Sequence, residues 1–256
     1  MMKTSCTNAS IFSRVSIIPT GLLLLIILYI SPIPVLGSTD FYFPHYADGD
    51  GCSMLFTFEN LGETTAQVDI RIYDSAGSPS TLGFGHKYRS PLLVTLPPQG
   101  SLTIKSDGKS NPLKTGYVRV QSEQDEISGV AVFQYAWGGE TSVLPVEPSR
   151  RFCLPYERSS VMDIGLAMIR PEGVPVQIKL YSEQGHLLAQ EFYNPSTIHS
   201  GHFSEEIFGP EAPFINGMLV LESEARFAPL GLRFGDSILA GLPVKPFRET
   251  CNRSIL

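Results

Sequence analysis

Apolar and polar residues alternate with a period of two along much of this chain. In QVDIRIY (67–73), Val68, Ile70 and Ile72 fall on one face and Asp69 and Arg71 on the other. YVRVQS (117–122) and VQIKLY (176–181) keep the same rhythm. It predicts strands with one buried face. Between these runs stand clusters of Gly, Pro, Ser and Asp, such as DSAGSPS (74–80), LPPQGS (96–101) and RPEGVP (170–175). Their chemistry predicts turns. The one helical candidate is SEEIFG (204–209), a single turn with Ser204 as N-cap and acids in its first turn. Short strands separated by turns predict an all-β fold of antiparallel, immunoglobulin-like β-sandwiches.

The pattern also repeats. VDIRIYDSAGS (68–78) aligns with VQIKLYSEQGH (176–186), and residues 115–133 align with residues 216–234. Each copy closes alike, with LPVEP (144–148) or LPVKP (242–246), and FYFPHY (41–46) matches RFCLPY (151–156) loosely. Two tandem modules are therefore expected, 38–148 and 149–256, joined near PSRR (148–151).

Residues 1–37 read as a separate segment. Lys3 and Arg14 precede the apolar run GLLLLIILYI (21–30), and Val35 and Gly37 supply a small-x-small site before Ser38. This is the pattern of a secretory signal peptide. A retained anchor is the alternative, but the run is shorter than the ~20 residues of a spanning helix. Cleavage removes two of the 19 basic residues and none of the 25 acidic ones, so the net charge moves from −6 to −8. Such an acidic surface disfavours nucleic acid or an anionic membrane as partner.

Export makes disulfides permissible. Beyond Cys6 the chain has Cys52, Cys153 and Cys251. A Cys153–Cys251 bridge would close a loop of nearly 100 residues, worth about 4–5 kcal/mol in the chain-entropy picture. Three unpaired buried cysteines are the equal alternative.

The series LPPQGSLTI (96–104), TGYVRVQS (115–122), ISGVAVFQY (127–135) and LPV resembles a bacterial family of tandem β-sandwich modules in exported, cell-surface-associated proteins. FPHYADG (43–49) and, in the second copy, SGHFSEEIF (200–208), FINGMLVLES (214–223) and PLGLRF (229–234) extend the likeness over nearly the whole mature chain. It implies fold and export, and leaves function open. The chain departs from it at Cys52, where an aromatic residue is expected, and at the abbreviated start of the second module.

Four constellations were weighed for chemistry. HYADGDG (45–51) suggests a calcium loop, but with Gly51 as its turn glycine the first and twelfth positions are Tyr46 and Thr57, which supply no carboxylate. An Asp-Gly turn is the better reading. His199, His202 and Glu205, spaced three apart, suggest zinc, yet Gly201 interrupts any shared helix face. Glu205, Glu206 and Glu211 cluster without a partner across a groove, and GDSIL (235–239) lacks the following Asp and His of a serine hydrolase. No catalytic, cofactor or metal residue is therefore assigned. Trp137 and Tyr135 in QYAWGGE, at a hairpin tip, are the candidate contacts for a surface glycan or protein partner. Folding of Trp137 over the sandwich edge is the competing reading. The expected function is that of a non-enzymatic exported interaction or spacer module. A secreted hydrolase and a periplasmic assembly factor working through an edge strand are the alternatives.

Overall fold

The computed structural model describes residues 38–82, 90–136, 139–235 and 238–246. The proposed signal segment and Cys251 lie outside them. The described chain is nearly all β, with antiparallel pairing throughout.

In the N-terminal half, β1 (Thr39–Asp48), β6 (Lys114–Ser122), β3 (Ala66–Asp74) and β4 (Leu92–Leu96) form one sheet in that spatial order. The second sheet runs β5 (Ser101–Lys105), β2 (Cys52–Asn60), β7 (Ile127–Tyr135), β8 (Glu140–Val143). The alternation anticipated from sequence appears as burial. Along β2, Cys52, Met54, Phe56, Phe58 and Asn60 point inward, and along β3 Ala66, Val68, Ile70 and Ile72 do so. Phe43, Phe56 and Phe58 meet edge-on inside this core, at centroid distances of 5.4 and 6.1 Å from Phe43. Fully burying each such ring contributes about 2–3 kcal/mol.

The C-terminal half comprises β9 (Ser149–Glu157), β10 (Met162–Ile169), β11 (Val176–Ser182), β12 (Leu187–Tyr193), β13 (His199–Phe203), α1 (Ser204–Phe208), β14 (Asn216–Gly235), β15 (Ile238–Leu242) and β16 (Lys245–Pro246). β14 is 20 residues long and serves two ladders. Its first part pairs with β9 and β11, and its second part with β10 and β15. A register irregularity between Glu222 and Phe227 separates the parts. The pairing order is then β9-β14-β11-β12 and β13-β10-β14-β15. That is the order of the N-terminal sheets, with β14 in place of the β6–β7 pair.

Individual residues recur at matching places. Tyr46 pairs with Gly116 and Tyr156 with Gly217, and both tyrosines are fully buried. A Cβ on Gly116 would lie 2.0 Å from the Tyr73 carbonyl oxygen, and one on Gly217 would lie 2.2 Å from that of Tyr181. Only glycine fits these two crossings. Asn60, ending β2, donates to the carbonyls of Thr64, Leu96 and Pro97. Arg170, following β10, donates likewise to Gly173, Val174, Pro195 and Thr197. Each is a buried polar side chain that satisfies loop carbonyls no strand can reach.

The helix begins one residue earlier in role than its sequence suggests. Phe203, not Ser204, occupies the cap position, and its N–H donates to the Glu206 carboxylate at 2.7 Å. The Ser204 hydroxyl is drawn instead to Asp163.

The halves share buried surface, and the described residues form one compact unit. Ala167, Leu230 and Leu232 from the C-terminal half pack into the N-terminal core. Tyr42 and Tyr117 pack with Ile169 and Ala228 in a smaller cluster between the halves. The edge strands β8 and β15 also meet, with Gly241 N–H donating to Thr141 Oγ1 at 2.9 Å.

Candidate functional site

The aspartate- and glycine-rich stretch is a hairpin. Gly49 and Cys52 exchange both backbone hydrogen bonds at 2.9 Å around Asp50 and Gly51. The φ angles of those two residues are 50° and 81°, the positive pair that a type I′ turn needs. Asp50 is exposed, whereas Asp48 is fully buried. The Asp48 carboxylate accepts hydrogen bonds from Gly108 N–H at 2.9 Å and from the Ser110 hydroxyl. Both its oxygens are therefore spent on pinning the loop before β6. The two acids form no shared ligand set.

The C-terminal half solves the same problem with the opposite charge. Arg158 stands two residues after Tyr156, as Asp48 stands two after Tyr46. Its guanidinium donates to the Ala212 carbonyl at 2.7 Å, in the loop before β14. It also contacts Glu205 at 3.3 Å and lies 4.7 Å from the Phe214 ring centroid. Asp48 gathers N–H and O–H groups and Arg158 gathers oxygens, so each loop is held by whichever polarity its backbone presents. Glu205 and Glu206 are thus occupied by Arg158 and the helix cap.

The histidines are arranged differently from the zinc alternative. HSGHF (199–203) forms β13, and alternation along a strand sends His199 into the protein while His202 is half-exposed beside Glu206, 3.7 Å away. Among the described residues, no three His, Cys, Asp or Glu side chains converge as a metal site. His199 instead meets His45 across 154 residues of sequence, Nε2 to Nδ1, at 3.0 Å. The rings stack at 5.1 Å with 19° between planes. His199 Nδ1 contacts the Ser75 hydroxyl at 3.0 Å, and Ser75 in turn reaches Thr115 Oγ1 at 3.3 Å. Burial lowers the pKa of His45 to about 4. Burial, then the neighbouring His45, lowers that of His199 to about 3, against a small opposing effect of a hydrogen bond to the Pro44 backbone.

A Ser–His–His line raises the question of nucleophilic catalysis. Three observations count against it. His199 is almost wholly buried, so the imidazole faces protein on every side. A general base works best with its pKa near the working pH, and burial holds this one at about 3. The backbone N–H groups of Ala76 and Ser78, next to Ser75, are already donated to Asp74 Oδ1, leaving neither for an oxyanion.

Among the proposed contact residues, Tyr135 sits opposite Cys52 in the β2–β7 ladder. Burial, with the Cys52 thiol beside it, pushes the Tyr135 phenol up to about 12. Burial likewise raises the Cys52 thiol, partly opposed by its hydrogen bond with Tyr135. That bond gives the unexpected cysteine a packing role at the start of β2. Trp137 lies outside the described residues. Cys153 is buried in β9 opposite Lys245 of β16, so the first and last described strands of this half adjoin. Its proposed partner Cys251 lies outside the described residues. Two open depressions lie on the surface, one beside Asp50 and residues 108–113 and one beside residues 182–184, Ile215 and Asn216. Among the described residues, no helix is long and apolar enough to cross a membrane. No family model, no curated protein and no solved structure matches the chain.

Sequence reasoning did not bring His45, Ser75, Thr115 and His199 together. The cause lies in the strand pairing. Relative to β9, β1 carries a bulge between Phe43 and Tyr46. A bulge re-aims side chains at one point of a strand, and here it contains Pro44 and His45.

Proposed function

We propose that the chain is a non-enzymatic exported protein whose two halves are tandem β-sandwich modules of immunoglobulin-like build, acting in cell-surface or extracellular interaction or as a spacer. The observation that carries this reading is how the chemically capable side chains are spent. Asp48, Arg158, Asn60 and Arg170 hold loops, and His45 and His199 face each other inside the junction. The matching strand order of the halves supports the modular reading. The immunoglobulin likeness lies in the two packed sheets, because β1 and β2 here belong to different sheets, whereas the first two strands of the constant-type domain share one. Tyr135 and Trp137 remain the proposed contact for a glycan or protein.

A second reading, assembly through an edge strand, is favoured by β12. Among the described residues it pairs only with β11, and Leu187, Leu188 and Phe192 along it are exposed. Added strands dock on such edges through main-chain hydrogen bonds.

An array of surface glycans and peptides probed with the mature chain tests the first reading. Binding that W137A reduces at least tenfold is expected. Turnover of an ester or glycoside panel that S75A abolishes would overturn it in favour of the hydrolase.

A further inference from the structure

We propose that the His45–His199 contact is an acid-labile latch that holds the N-terminal half against the C-terminal half. The geometry sets its terms. His45 comes from the bulge of β1, and His199 from the first position of β13. At 3.0 Å their facing nitrogens share one proton, since one must donate and the other accept. His45 stacks on Phe133 at 5.9 Å with 13° between planes, and the Tyr117 ring lies 6.2 Å from His199. Gly201 and Ala167 stand on the same side as His45, a Cβ on Gly201 falling 3.8 Å from the imidazole. The backbone closes the contact as well, His199 N–H donating to the Ser75 carbonyl at 3.1 Å. When both rings carry a second proton, N–H faces N–H and two like charges stack.

No neighbouring carboxylate relieves that state. Asp74, next to Ser75, accepts from Ala76 and Ser78 of its own turn. On β6, Arg119 is paired with Asp40, and Tyr117 is a phenol whose pKa burial raises. On β1, Tyr42 and Tyr46 are likewise raised by burial. β7 and β10 present Phe133 and Ala167. On β13, His202 faces Tyr193 and Glu206, and Arg170 beyond β10 is spent on carbonyls. The imidazoles are therefore neutral in the closed junction, wholly buried His199 at about 3 and partly exposed His45 at about 4. In an open junction they return to about 6.5. The open form binds the extra protons, so the latch is fully effective above ~6.5 and weakens as pH falls toward those lower values.

Hydrogen exchange on the mature chain between pH 6.5 and 4, corrected for intrinsic rates, tests the latch. Protection of residues 74–78 and 199–203 is expected to fall by up to about tenfold per pH unit for each imidazole, while β2 and β11 keep theirs. In H45F, which keeps a ring on Phe133 but cannot titrate, that fall is at least halved on a logarithmic scale. Loss of junction and core protection together, or an H45F curve superimposed on that of the unaltered protein, overturns the proposal. Should H45F not fold, ring-nitrogen chemical shifts of the unaltered protein decide. Two neutral imidazoles at pH 6 are expected, and a charged ring there overturns the latch.

Discussion

At the scale of single residues, buried polar groups here are fasteners for loops. Asp48 is the clearest, a carboxylate with no exposure whose two oxygens are matched by Gly108 N–H and the Ser110 hydroxyl. Removing it leaves those donors buried without an acceptor, and such orphaned groups cost about 1–3 kcal/mol each way of counting. D48A is expected to lower the unfolding free energy by about 2–3 kcal/mol in urea denaturation, and calcium is expected to make no difference to either protein. Arg158 performs the corresponding task with donors, which is why an alignment by residue type misses the correspondence. The sequence exposed Asp48 as a candidate ligand because its neighbours Gly49, Asp50 and Gly51 look like a metal loop. The hairpin geometry reverses that impression by turning Asp48 inward and Asp50 outward.

At the scale of elements, the strands divide into those whose edges are covered and those left open. β8 and β15 cover each other, and β1 lies against β10, β13 and β14. β12 touches α1, but among the described residues no strand pairs with its outer edge. Its register sets Glu191 opposite Ile178, on the side that faces the core, while Gln190 and Phe192 lie on the outer side opposite Lys179 and Gln177. Glu191 is itself exposed, and a charge on an edge strand discourages pairing with a stray strand. E191V is therefore expected to change monomer stability by no more than about 0.5 kcal/mol while raising concentration-dependent light scattering. Unchanged scattering would show that the carboxylate guards nothing. The alternation in VQIKLY announced β11 clearly, whereas LLAQEFY alternates poorly because its strand is largely exposed on both faces. Burial on one face is what writes period two into a sequence, and an open edge lacks it.

At the scale of the whole molecule, the halves behave as one body because they share a core. Leu230 belongs to β14 yet packs among Phe41, Phe43 and Phe133 of the other half's cluster. L230A is expected to lower stability by about 2–5 kcal/mol and to shift a single calorimetric transition without splitting it. Two resolved transitions would mean that the halves unfold independently. Strand positions, turn positions and the paired segments 68–78 with 176–186 were legible in the chain, because alternation and Gly, Pro and Asp chemistry act between near neighbours. So was the Asp-Gly hairpin, once Tyr46 and Thr57 were seen to lack ligand atoms. Tertiary structure alone decided which strands face which, how β14 serves two ladders, and that His45 and His199 touch. Those outcomes depend on contacts between residues distant in sequence, 154 positions apart for the two histidines, and no local pattern encodes the partner of a side chain at such separations.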